Sequence, residues 1–258
     1  MNFCRVEREG PVTVITITRP EVMNALHPPA QEELSAAMDD FAADPHQWVA
    51  ILTGAGERAF CAGNDLKYQA GGGPRKRLST GFGGVTSRFD LDKPLIAAVN
   101  GVALGGGLEI ALACDLIVAA SHATFALPEV KVGLAALAGG IQRLGRQIGA
   151  KRALGMILTG RHVGAGEAQA LGFVNEVVAP GEALAAAKRW AQAIVEASPL
   201  SVRASKQALM RGLDEPSLAQ AIAHEREYPA ALAMFASEDY VEGPRAFAQK
   251  RKPRWQGR

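Results

Sequence analysis

Cysteine is scarce in this chain: Cys4, Cys61 and Cys114 are the only three, and no two lie close together. An odd, scattered set argues against a disulfide framework and for reduced thiols in a cytoplasmic setting. Histidine is nearly as thin. The five present (His27, His46, His122, His162, His224) show no His-x-x-x-His pair and no cysteine at ligand spacing, so no metal is expected. Charge of one sign is not in excess either. A net +2 leaves no electrostatic footprint of a nucleic-acid binder or of a protein drawn to an anionic membrane. The longest apolar stretch, Leu95 to Ala120, is broken by Asn100, Glu109, Asp115 and four glycines, which makes a membrane span costly. The opening Met-Asn-Phe-Cys-Arg-Val-Glu carries an early acid and no apolar segment, so no secretory leader is expected. Absent too are a Gly-x-x-x-x-Gly-Lys-Ser/Thr loop, a Gly-x-Ser-x-Gly elbow and a strand-borne Gly-x-Gly-x-x-Gly. That excludes the usual marks of a P-loop, an α/β-hydrolase and a nicotinamide cofactor.

What is present is an ordinary globular composition, 48% hydrophobic and 21% charged over 258 residues. A chain this long buries roughly three quarters of the surface it exposes when unfolded. Val12, Val14, Ile15 and Ile17 alternate with threonines, as in a half-buried strand ended by Arg19-Pro20. Leu34, Met38 and Phe41 recur at helical spacing within 30–43, and Asp44-Pro45 stops that helix. Further strands are expected at 49–52, 95–99, 116–119 and 174–178, and a helix at 105–114. The glycine-rich stretch Gln69 to Gly84, with Pro74-Arg-Lys-Arg77 inside it, is the expected mobile loop. Arg75–Arg77 and Lys250–Lys252 read as solvated charge runs. Strands alternating with helices imply an α/β core. After Pro180 the chain is Ala-rich and helical, with a break at Ser198-Pro199. The expected organisation is a core over 1–199 and a helical region over 200–258.

Three segments offer chemistry. In Val102-Ala-Leu-Gly-Gly-Gly-Leu-Glu109, glycines lead into a helix whose first-turn N–H groups have no intrahelical acceptor and form an anion site. Glu109, three residues after Gly106, falls one turn on along the same face. The same glycines also suit tight packing. In Arg58-Ala-Phe-Cys-Ala-Gly-Asn-Asp-Leu-Lys67, small residues lead into Asn64-Asp65, which could aim a second backbone N–H, or simply form a turn. In Ala123-Thr-Phe-Ala-Leu-Pro-Glu129, the acid follows an apolar run. Burial would raise its pKa toward that of a proton donor, while a helix-start glutamate fits the same pattern.

Taken in order, these motifs resemble the crotonase (enoyl-CoA hydratase/isomerase) family. The resemblance rests on Asn24-Ala-Leu26, Ala62-Gly-Asn-Asp65, Asn100-Gly-x-x-x-Gly-Gly-Gly-x-Glu109, Pro128-Glu129 and Gly139-Gly-x-Gln-Arg143, and runs to Phe247-Ala-Gln-Lys-Arg251. It implies a ββα spiral core with a C-terminal helical region used in oligomerisation. It also implies an acyl-CoA substrate, no cofactor beyond the coenzyme A that the substrate carries, and assembly as a homotrimer or a hexamer of paired trimers. Carried over residue by residue, the oxyanion hole falls on the amides of Asn64 and Gly106, and the acid/base pair on Glu109 and Glu129. Substrate and coenzyme A contacts fall on Ala25, Ala62, Asp65, Leu66, Lys67, Leu137 and Lys250. The pair of glutamates is the pattern of the family's hydratases. Phe125-Ala-Leu-Pro-Glu129 and Ser237-Glu-Asp-Tyr-Val-Glu-Gly-Pro244 are similar to its carnitinyl-CoA dehydratase branch. In place of the Pro-Gly usual in hydratases stands Ala136-Leu137-Ala138, which adds apolar bulk and removes a glycine that helps to position water.

Overall fold

The computed structural model describes residues 1–72 and 77–258. Arg75 and Lys76 of the expected charge run lie outside the described residues. The chain opens on a hairpin of β1 (Cys4–Glu9) and β2 (Val12–Ile17), then α1 (Pro28–Ala43) and β3 (Val49–Gly54). β4 (Ala59–Cys61), α2 (Leu66–Ala70), β5 (Leu95–Val99), β6 (Val102–Leu104), α3 (Gly106–Ala113), β7 (Leu116–Ala120) and β8 (Thr124–Ala126) follow. After these come α4 (Gly140–Ile148), α5 (Ala150–Ile157), β9 (Val163–Gly164), α6 (Ala165–Leu171), β10 (Glu176–Val178) and α7 (Ala183–Val195). The C-terminal helices are α8 (Pro199–Gly212), α9 (Leu218–His224), α10 (Pro229–Phe235) and α11 (Glu238–Ala248).

Successive strands are dealt alternately to two sheets. β3, β5 and β7 lie side by side and parallel in a six-stranded sheet ordered β1-β2-β3-β5-β7-β10. Their partners β4, β6 and β8 run parallel in a second sheet, with β9 antiparallel at its edge. Each turn of chain thus gives one strand to each sheet before a helix or turn returns it. This is the ββα spiral.

The strand at 12–17 is not half-buried as its alternation suggests: all six residues are buried. One face of the large sheet (Ile15, Ile17, Leu52, Ala97, Val99) packs into a core shared with α1 and α3. The other (Val14, Ile51, Ile96, Val118) is covered by Ala183, Ala186, Ala187 and Ala191 of α7. A largely parallel sheet covered on both faces loses the polar-out half of the pattern. α7 therefore belongs to the spiral, and the helical region beyond it starts where Ser198 caps α8 by accepting from the Ser201 amide. The helix expected at 105–114 begins one residue later, because Gly105 has φ 54° and ψ −123°, a conformation open only to glycine. The expected strand at 174–178 is confined to Glu176–Val178. Among the described residues, no helix is long and apolar enough to cross a membrane.

Candidate active site

Two backbone amides meet where β4 and β6 run out. Beyond β4, the Leu26 N–H donates to Gly63 O at 2.8 Å and the Asp65 N–H donates to Leu26 O at 3.1 Å. Asn64, between them, therefore turns its own amide away from Leu26, and that amide has no acceptor among the described residues. Beyond β6, the Gly105 N–H is taken by Ala126 O at 2.9 Å, whereas the Gly106 amide opens α3 and has no protein acceptor there. The two segments touch: a Cβ added to Gly63 would stand 2.9 Å from Gly106 N. Asn64 and Gly106 line one cavity of about 1620 Å³, and each brings to it an amide that no described residue accepts.

Glu109 and Glu129 line the same cavity but in opposite settings. Glu109, in the first turn of α3 and 4% exposed, accepts through Oε1 from the amides of Ala138 (2.8 Å) and Gly140 (2.9 Å). Gly140 is the first residue of α4, so the carboxylate sits at the positive end of that helix. Burial pushes the Glu109 pKa up; the two amides and the Arg143 cation oppose that shift. Glu129 lies in the first turn of a 3-10 helix, Pro128–Val132, the place a helix-start glutamate would take. Its Oε1 stands over Gly105, 2.8 Å from where a Cβ would be, and its buried Oε2 has no hydrogen-bond partner among the described residues. Burial pushes its pKa up and the neighbouring Glu109 charge pushes it further. Burial thus raises both acids, Glu109 against two amide donors and a nearby cation, Glu129 with its Oε2 unpartnered among the described residues.

Of the other residues expected at the site, Ala62, Leu66 and Leu137 line the cavity, Leu137 as an 81% exposed side chain. Ala25, Asp65, Lys67 and Lys250 are not among its lining residues. Asp65 caps α2 by accepting from the Tyr68 amide at 3.1 Å and pairs with Arg19 at 3.1 Å. The Arg19 guanidinium also donates to Ala25 O. These two residues shape the loop that carries Asn64. Lys67 and Lys250 are exposed.

Sequence reasoning missed Phe82. Its end of the expected mobile loop is a packed 3-10 turn, Phe82–Gly84, with the Gly83 amide on Gln31 Oε1 at 3.3 Å and the Phe82 amide on the Thr86 hydroxyl at 2.8 Å. The Phe82 ring occupies the space that a Gly106 side chain would need. A lone aromatic inside a glycine run was the available signal.

The sequence profile of the enoyl-CoA hydratase/isomerase family matches residues 7–258. A carnitinyl-CoA dehydratase from Salmonella arizonae is 44% identical over 260 positions, covering 98% of each chain. One from Salmonella enteritidis is 43% identical, covering 97% of each. Among solved structures, an enoyl-CoA hydratase from Mycobacterium tuberculosis superposes with a TM-score of 0.93 at 41% identity, over 99% of both chains. A carnitinyl-CoA hydratase from Mycobacterium avium gives 0.79 at 42% identity over 100% of both. The chain belongs to the crotonase, or enoyl-CoA hydratase/isomerase, family.

Proposed function

We propose that this protein is a hydro-lyase that adds water reversibly across the C2–C3 double bond of a 2-enoyl-CoA thioester. The observation that carries this reading is the pair of differently held glutamates beside two unpaired amides. The thioester oxygen would accept from the Asn64 and Gly106 N–H groups, making C3 electrophilic. One such preset donor is worth about 3 kcal/mol at the transition state. Glu109 has Oε1 pinned by Ala138 and Gly140, which leaves Oε2 to take a proton from the water attacking C3. Glu129 gives its proton to C2. In dehydration the two glutamates exchange these tasks. Coenzyme A enters with the substrate, its pantetheine arm passing Ala62 and Leu66, and the exposed Lys67 and Lys250 are the cations offered to its phosphates.

A second reading is dehydration of a 3-hydroxyacyl-CoA as the physiological direction, with carnitinyl-CoA as one such substrate. The curated relatives carrying that name, at 44% and 43% identity, favour it. A screen of enoyl-CoA and 3-hydroxyacyl-CoA esters of varied chain length, with and without a terminal trimethylammonium group, separates the two by change in conjugated-thioester absorbance. On the best substrate, Glu109→Gln and Glu129→Gln each lower turnover by about 10²–10⁴ while thioester binding stays near wild type. Near-normal turnover in either variant would remove that residue from its role.

A further inference from the structure

Arg143, the last residue of the Gly139-Gly-x-Gln-Arg motif, takes no part in the proton transfers above, yet it lines the same cavity. It stands in the first turn of α4, its amide donating to Gly139 O at 2.9 Å. Its side chain folds back over that turn, with Nη1 against Gly139 in the space a Cβ would fill. Glu109 packs on the adjacent glycine: a Cβ on Gly140 would lie 2.7 Å from Glu109 Cγ. Cation and carboxylate thus flank one Gly139–Gly140 pair, and each needs its glycine bare. The guanidinium is fixed from outside by Nη2 donating to Thr86 O at 2.8 Å and by the Phe89 ring, 5.7 Å from Cζ to centroid. No carboxylate lies within ion-pair distance of it among the described residues. A half-buried cation without a carboxylate partner costs free energy.

We propose that Arg143 is a positioning residue for Glu109: it braces the Gly139–Gly140 turn that grips the carboxylate and sets a positive charge on the far side of that turn. This rests on the reading of Glu109 as the base. The other groups facing Glu109 do not supply that charge. On α4, Arg146 is turned outward to Asp214 at 2.8 Å. From the 3-10 helix come Glu129, whose charge would oppose it, and Lys131, whose side chain lies along Gly160. β6 and the Phe82–Gly84 turn carry no titratable side chain. β4 offers Cys61 and the C-cap of α3 offers Cys114, thiols whose pKa values burial pushes up to about 12, so both are neutral.

The test is the pH profile of kcat/KM for an enoyl-CoA ester, whose acidic limb reports protonation of the base in the free enzyme. In Arg143→Gln that limb moves to higher pH by about one unit, with most of the rate kept on its alkaline side. In Arg143→Lys, which keeps a charge but not the brace, the limb lies between the two. If Arg143→Gln does not fold, the lysine variant decides, and a limb at the wild-type position overturns the proposal. A rate lowered equally at every pH assigns Arg143 a packing role only and also overturns it. Glu109→Gln separates the levels. If it abolishes hydration while the Arg143→Gln limb stays put, only this proposal fails; if hydration survives it, the reading of Glu109 as base fails as well.

Discussion

On the proposed mechanism Gly106 serves two neighbours at once, the thioester oxygen through its amide and the Phe82 ring through its missing side chain. A methyl at Gly106 meets that ring before it meets substrate, so either α3 or the ring must shift. Gly106→Ala is therefore expected to lose about 10²–10³ in turnover, the scale of one misplaced donor. Gly106→Ala with Phe82→Val, which trims the ring, regains most of that loss in the same assay. A double variant as slow as the single would mean that the methyl itself obstructs the thioester. Lys93 raises a different single-residue question. It is 6% exposed and donates from Nζ to Phe41 O (2.8 Å) and Asp44 O (2.6 Å) at the end of α1. Burial, with the nearby Arg203 charge, lowers its pKa from 10.5 to about 8. Between those two values the unfolded chain holds a proton that the folded chain has released, so stability gained at this site rises with pH across that window. Thermal melts of wild type and Lys93→Met should show the wild-type Tm gaining on the variant from pH 8 to pH 10. A constant difference would refute the shift.

Between the two sheets, the linking turns are tied by two asparagines. Asn100, after β5, donates from Nδ2 to Gly54 O (2.9 Å) and Gly56 O (2.6 Å) and accepts from the Gly54 amide at 3.2 Å. Fully buried Asn24 donates to Ala59 O at 2.7 Å and accepts from the Arg19 amide at 3.0 Å. Together they fix the path from β3 into β4, and so the approach to Asn64. Asn100→Ala leaves the Gly54 N–H and C=O without these partners, at about 1–3 kcal/mol for such a group. Its Tm should fall, and its KM for an enoyl-CoA ester should rise as Asn64 drifts; an unchanged melt would show the tie to be dispensable. Both asparagines stood in the sequence motifs, but nothing in their spacing revealed this task. The longer elements were legible because they are apolar runs, Leu95–Val99 and Leu116–Ala120 above all, or because they carry helical periodicity, as Leu34, Met38 and Phe41 do. β4, β6, β8 and β9 were not, since two or three residues cannot display a period of two. Glu109, Glu129, Asn64 and Gly106 were legible as motifs. The grip of α4 on Glu109, across about thirty residues of sequence, exists only in the packed molecule.

Taken whole, the molecule carries more exposed apolar surface on its C-terminal helices than a free monomer needs. Leu218, Ile222, Leu232 and Val241 are all exposed, and Phe247 is 88% exposed. Exposed apolar side chains concentrated on one region of a chain suit an association surface. The expected assembly is a homotrimer or a dimer of trimers, formed through the region 200–258 and checked by light scattering at micromolar concentration; a monomer mass would sink it. Assembly should also reach the chemistry. Leu209, Met210 and Leu213 of the C-terminal region line the same cavity as Glu109 and Glu129, so the α8 wall is only as firm as whatever covers its outer side. Leu218→Glu with Ile222→Glu puts charge on the exposed face of α9, which packs against α8. That variant should scatter as a smaller species and bind thioester several-fold more weakly, while the spiral core keeps its secondary structure by circular dichroism. Because Glu109 and Glu129 are set by α3, α4 and the 3-10 helix rather than by α8, the loss should fall on KM more than on kcat. A monomer with unchanged KM would show that the cavity wall stands without its neighbours.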